Sequence, residues 1–278
     1  MITIVVLCTT VQLWGSDPNQ MDAVHRLLPP SPRHWFGTDN FGRDIFTRVI
    51  AGGQVSLTIG VAVMCTTSLF GTTLGLIAGY YPRIGSVICR VLDGLMAFPA
   101  ILLAIALVGA LGANLWNEII ALTVVYTPRT TRLLRAAALQ LRSAQYVEAA
   151  SAVGASDFRI LIQHIFPNAT APLIVQSTFI CAEAILADAS LSFLGLGVRP
   201  PTPTWGNMLG EGRVYLTVGP WFTIFPGIAI IVSVLALNFV GDTVRDLLDP
   251  FSSGRSPTDE ASRGSDEMQA VSRELSAA

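Results

Sequence analysis

Residues 148–167 read EAASAVGASDFRILIQHIFP, a polar, helix-prone interruption between two long apolar stretches, and their reading decides how the chain is arranged. Helix formers run from Ala144 to Val153. Gly154 suits the left-handed position just past a helix end, Ser156 can cap the next helix, and Pro167 follows that helix's end. The spacing predicts a helical hairpin over 144–167 lying outside the bilayer. Asp157 falls at the positive end of its second helix, where a carboxylate is favoured by about 0.3–1 kcal/mol.

The composition says what the hairpin is attached to. Of 278 residues, 51% are hydrophobic and only 13% charged, which places the chain among integral membrane proteins. All 17 basic residues are arginine. A P-loop needs GK[ST], whose lysine reaches the nucleotide phosphates, so the chain contains no such ATP site and any ATP-driven function requires another subunit. A net charge of −2 without a basic tract gives no sign of nucleic-acid binding. Cys8, Cys65, Cys89 and Cys181 sit in or beside apolar segments without metal-ligand spacing and read as small core residues; no metal site is expected.

Going outward from the hairpin, the apolar pattern predicts an all-α membrane protein with six transmembrane helices over about 1–14, 54–80, 94–111, 115–134, 173–197 and 218–241. The hairpin separates the fourth from the fifth. The first segment is short for a span and reads as a helix lacking part of its start, with a cleaved signal as the alternative. Asp44–Ala51 has the spacing of a short amphipathic helix on the membrane surface. In the second span Gly71, Gly75 and Gly79 leave one face bare for a close helix neighbour. Arg83–Asp93 reads as a short connection, and Pro99 as a kink inside the third span. Arg129, Arg132 and Arg135 share a face and can reach lipid headgroups or partner acids, with snorkelling to headgroups the default expectation. Glu183 and Asp188 fall within the fifth span, where a carboxylate needs a cavity, a partner or a bundle interior. Five residues apart, they point about 140° away from each other and are not a paired dyad. Residues 198–217 form a proline-stiffened loop in which Trp205 and Met208 can either contact a docked protein or pack on their own subunit. The membrane domain then covers 1–250, and 251–278 is a Ser-, Glu- and Asp-rich tail expected to be disordered and cytoplasmic.

Four stretches resemble one family. Glu148-Ala149-Ala150, Gly154 and Pro167 are similar to the EAA motif of permease subunits in ATP-binding-cassette importers. The departure at its end, His164-Ile165-Phe166, resembles the peptide-transporter branch. Phe36-Gly37-Thr38-Asp39 with Gly42-Arg43-Asp44, the LSFLGLG run at 191–197, and Gly241-Asp242 with Arg245-Asp246 resemble the C-type permease of dipeptide and oligopeptide importers. The resemblance implies a multi-pass subunit of a bacterial cytoplasmic membrane that imports peptides by alternating access. It implies a homologous second permease, two cytoplasmic ATPases that bind the ATP and magnesium, and an external solute-binding protein, with no cofactor on this chain. It further implies that Glu148, Ala149, Ala150, Gly154, Asp157, Phe158, His164 and Pro167 form the surface coupled to the ATPases. Pro99, Glu183 and Asp188 become candidates for the pathway or a subunit interface. Asp39, Arg43, Trp205 and Met208 become candidates for docking the binding protein, with Asp39, Arg43 and Asp44 holding their own loop together as the alternative.

Charge supports this orientation weakly: eight arginines fall in the expected cytoplasmic regions before the tail and six outside. Cargo stays open at this level, since nickel and other small solutes belong to the same branch. An independent ion-coupled transporter would need Glu183 and Asp188 as ion sites. An intramembrane protease is disfavoured because His25, His34 and His164 all lie outside the spans and no HExxH or serine elbow occurs.

Overall fold

The computed structural model describes residues 17–248; the expected span at 1–14 and the tail from 251 lie outside them. Helix α1, Ile45–Tyr80, is the longest element at 36 residues. At 1.5 Å per residue it extends about 54 Å, well beyond a hydrocarbon core of about 30 Å. Its start corrects one expectation. Asp44–Ala51 is no separate surface helix: Asp44 caps α1 by accepting the Thr47 amide at 2.9 Å, and the amphipathic turns continue directly into the apolar span.

The bare glycine face of α1 meets α4, Leu115–Arg142. A methyl added at Gly71, Gly75 or Gly79 would approach Thr130, Leu134 or Ala138 to 2.6 Å, so the two backbones lie as close as glycine permits. Within α4, Thr127 and Thr131 hydroxyls donate to the carbonyls four residues back, at 2.6 and 2.9 Å, which keeps buried polar groups satisfied within the helix.

Between these two, the chain departs from the expected span at 94–111. Residues 83–93 belong to helix α2, Pro82–Met96, and α3 is Ala100–Leu111. The pair is bent by 90° at the break. Pro99 therefore stands at the N-cap of α3 rather than inside a kinked helix, because its missing amide costs nothing at a helix start.

After the hairpin come α7, Thr170–Phe193, and the short α8, Trp205–Gly212, inside the stretch expected to be loop. Thr204 and Asn207 close a reciprocal capping box at the start of α8. Helix α9, Trp221–Leu248, ends the described chain and packs on α7 and α8. Among the described residues three helices are long and apolar enough to cross a membrane, and the bent α2–α3 pair makes a fourth if it is one span. Among the described residues the cysteine expectation holds for Cys181, which is buried, while Cys65 is exposed on the subunit and Cys89 half-buried; Cys8 lies outside them.

Candidate functional site

The hairpin forms at one end of the bundle. Its first arm, α5, is Gln145–Ala152. Gly154 follows at φ +84°, with its amide donating to the Ser151 carbonyl at 3.0 Å while the Ala155 amide donates to the Ala150 carbonyl at 3.1 Å. This paired arrangement satisfies the orphan carbonyls of the helix end and stiffens the elbow.

The second arm differs from expectation. One α-turn, α6 (Asp157–Arg159), runs into a π-helix, Ile160–Ile165; Pro167 follows its end, as expected, and opens a 3-10 turn that leads straight into α7. Ser156 occupies the cap position without a side-chain cap bond. The wider π turn places Ile160, Leu161 and Ile165 together on the buried side, against Leu76 of α1, Ala138 of α4 and Val147 of α5. The opposite side is bare. Glu148, Ala149, Asp157 and Pro167 are exposed, Ala150 and His164 half-buried, and at the elbow Val153 is 86% and Phe158 73% exposed.

Asp157 does more than complement a helix dipole. Its two carboxylate oxygens accept the Tyr80 and Tyr81 hydroxyls at 2.9 and 3.0 Å, which joins the second arm to the end of α1. The hydrogen bond to Asp157 holds the Tyr81 phenol above its ordinary pKa. Arg142 lies over the Tyr80 ring at 5.5 Å. Sequence reading overlooked this tyrosine pair, although two adjacent tyrosines closing an apolar span are a visible signal.

In the bundle, Glu183 of α7 accepts from Arg129 of α4 at 2.6 Å. It borders an open groove of about 300 Å³ with Ala100, Leu122, Tyr126 and Ser190, next to Pro99. Arg132 pairs with Asp93 of α2. Arg129 and Arg132 thus hold neighbouring helices rather than reaching for headgroups. Asp188 is fully buried on a different side of α7 and faces Glu118 of α4.

Comparison with known proteins decides what this architecture is. Residues 71–253 match the model of the family described as "binding-protein-dependent transport system inner membrane component". This chain belongs to that family. Curated relatives span most of it. A putative peptide transport system permease protein of Brucella suis is 50% identical over 252 residues, covering 90% of this chain and 85% of the relative. The dipeptide transport system permease protein DppC of Alkalihalophilus pseudofirmus is 49% identical over 239 residues, covering 86% and 79%. The probable D,D-dipeptide transport system permease protein DdpC of Escherichia coli is 42% identical over 240 residues, covering 86% and 80%. Among solved structures, an inward-facing MetNI methionine ABC transporter shares the fold, with a TM-score of 0.54 at 19% identity over 70% of this chain and 94% of that one.

The end of this permease opposite the hairpin corrects the docking candidates. Asp39, Arg43, Trp205 and Met208 are all buried and offer no surface to a docked protein. Asp39 accepts from Arg43 Nε at 2.6 Å, and Arg43 reaches Glu211 of α8 at 3.0 Å. Arg48 of α1 lies 3.5 Å from Asp39 and 3.6 Å from Glu211. Trp205 Nε1 donates to the Val49 carbonyl at 2.8 Å. These residues clamp the loop and α8 onto α1. Buried charges require such partners, so the cluster's composition explains its burial.

Proposed function

We propose that this chain is the permease subunit that carries di- or oligopeptides across a bacterial cytoplasmic membrane, driven by ATPases bound at its hairpin. The observation that carries the cargo is the set of relatives named for peptides and dipeptides, up to 50% identical over 90% of the chain. These names favour peptides over nickel. The absence of any lysine leaves ATP and magnesium to partner subunits. On this reading α4 and a span at 1–14 complete six crossings with α1, the α2–α3 pair, α7 and α9, and the hairpin end faces the cytoplasm. A homologous second permease and an external binding protein complete the importer.

The hairpin suits a coupling role. Its exposed side presents Glu148, Ala149 and the apolar elbow of Val153 and Phe158 to a partner, while its buried side grips the ends of α1 and α4. When the ATPases close, displacement of the elbow passes through Leu161, Ile165 and the Asp157–tyrosine bonds to α1. The close-packed α1–α4 pair then moves as one body and access alternates. The test is ATP-driven uptake of labelled dipeptide into proteoliposomes carrying the complete importer. Glu148→Arg should abolish uptake while the complex still assembles; normal uptake by that variant removes the hairpin from the coupling path.

A further inference from the structure

Glu118 lies in the first turn of α4 and Asp188 near the far end of α7, both 0% exposed, where α4 and α7 meet α1 beneath α8. Their carboxyl groups face each other. The Ser192 hydroxyl donates to Asp188 Oδ1 at 3.1 Å, and Ser56 of α1 lies beside the same carboxyl. No protein donor reaches either oxygen of Glu118.

No cation answers these two acids among the described residues. On α1, Arg48 is engaged with Asp39 and Glu211; on α4, Arg129 pairs with Glu183 of α7. Glu211 of α8 adds a further acid and is held by Arg43, and α3 carries no charged residue. Burial is complete within one subunit, so a second permease or an ATPase cannot insert a compensating side chain. Two carboxylates forced together in a low-dielectric interior do not both stay ionised. Two carboxyl acceptors, moreover, can hydrogen-bond to each other only when one carries a proton.

We propose that Glu118 and Asp188 form a buried proton-binding site, with the proton taken from solvent and held on Glu118, which donates it to the Asp188 carboxylate. The hydroxyls of Ser192 and Ser56 donate to Asp188 and stabilise it as the carboxylate, which leaves the proton on Glu118. The proton joins α4 to α7 at the capped end of the bundle, and parting these helices exposes the pair to water and releases it.

Infrared spectroscopy of the purified full-length chain in lipid nanodiscs tests this, since the site lies within one subunit. At neutral pH in sodium-free buffer, the wild type should give a protonated-carboxyl C=O band. The band should shift with carboxyl-13C glutamate and disappear in Glu118→Gln. Asp188→Asn should move its frequency, and provides the second variant if Glu118→Gln does not fold. Absence of any acid band from Glu118 in wild-type protein, whether or not sodium is added, overturns the proposal. An acid band that sodium abolishes at fixed pH also overturns it, by making the site one for a metal cation.

Discussion

Asp157 links the exposed elbow to the transmembrane helices through two tyrosine hydroxyls, and removing both donors isolates that link. The double variant Tyr80→Phe, Tyr81→Phe deletes two charge-assisted hydrogen bonds at an exposed position, each worth about 1 kcal/mol or less. The importer should keep its ATPase activity and lose uptake several-fold, measured side by side in proteoliposomes. Gly154 makes a different demand. At φ +84° an alanine is strained by about 1 kcal/mol or more, although open space surrounds the site. Gly154→Ala should therefore raise hydrogen exchange at 150–157 without lowering the amount of complex in the membrane. Residues whose role depends on neighbours far along the chain were the least legible in the sequence. The glycine's left-handed conformation follows from local chemistry, so it could be read; Asp157's tyrosines lie more than seventy positions away. For Asp39 and Arg43 the alternative of a loop holding itself together was legible, since they lie four positions apart, but their link to Glu211 of α8, far along the chain, was not.

At the scale of elements, the glycine face of α1 was read correctly because a four-residue repeat is a property of one helix. Its partner α4 was harder to delimit, since Arg129, Arg132 and Arg135 suggest an exit from the membrane at a point where the helix continues to Arg142. Substituting Gly75 should be costly. A methyl there meets Leu134 Cβ at 2.6 Å and the Thr131 carbonyl at 2.8 Å. Gly75→Leu overpacks the contact by about 1–3 kcal/mol or more and should separate α1 from α4. A lower thermal midpoint of the purified complex, together with loss of uptake, is the expected result. The break at 97–99 and the π-helix were misread for a shared reason. A helical period predicts that a segment is helical, but neither a 90° bend nor an i→i+5 turn leaves a distinct pattern in the letters. Both depend on what the segment packs against, as Ile160 and Ile165 do on Leu76 and Ala138.

Over the whole molecule, two fixed ends bracket a bundle of closely packed helices. One end is clamped by the Asp39, Arg43, Arg48 and Glu211 cluster, the other carries the hairpin. Asp39→Asn removes the innermost acid and leaves two buried arginines facing Glu211 alone, which costs about 3–5 kcal/mol where a buried pair is broken. Limited proteolysis should then cut the loop over 17–44 faster than in the wild type, while the hairpin's protection stays unchanged. The central claim is that the hairpin transmits the movement of an ATPase to the α1–α4 pair. The most direct test is site-specific cross-linking from a cysteine placed at Ala149 in the assembled importer, in membranes, with and without ATP. Cross-links to the ATPase subunit whose yield changes with nucleotide are the predicted result; a cysteine that reaches no ATPase, or that reacts with an impermeant reagent added from outside the cell, contradicts the account.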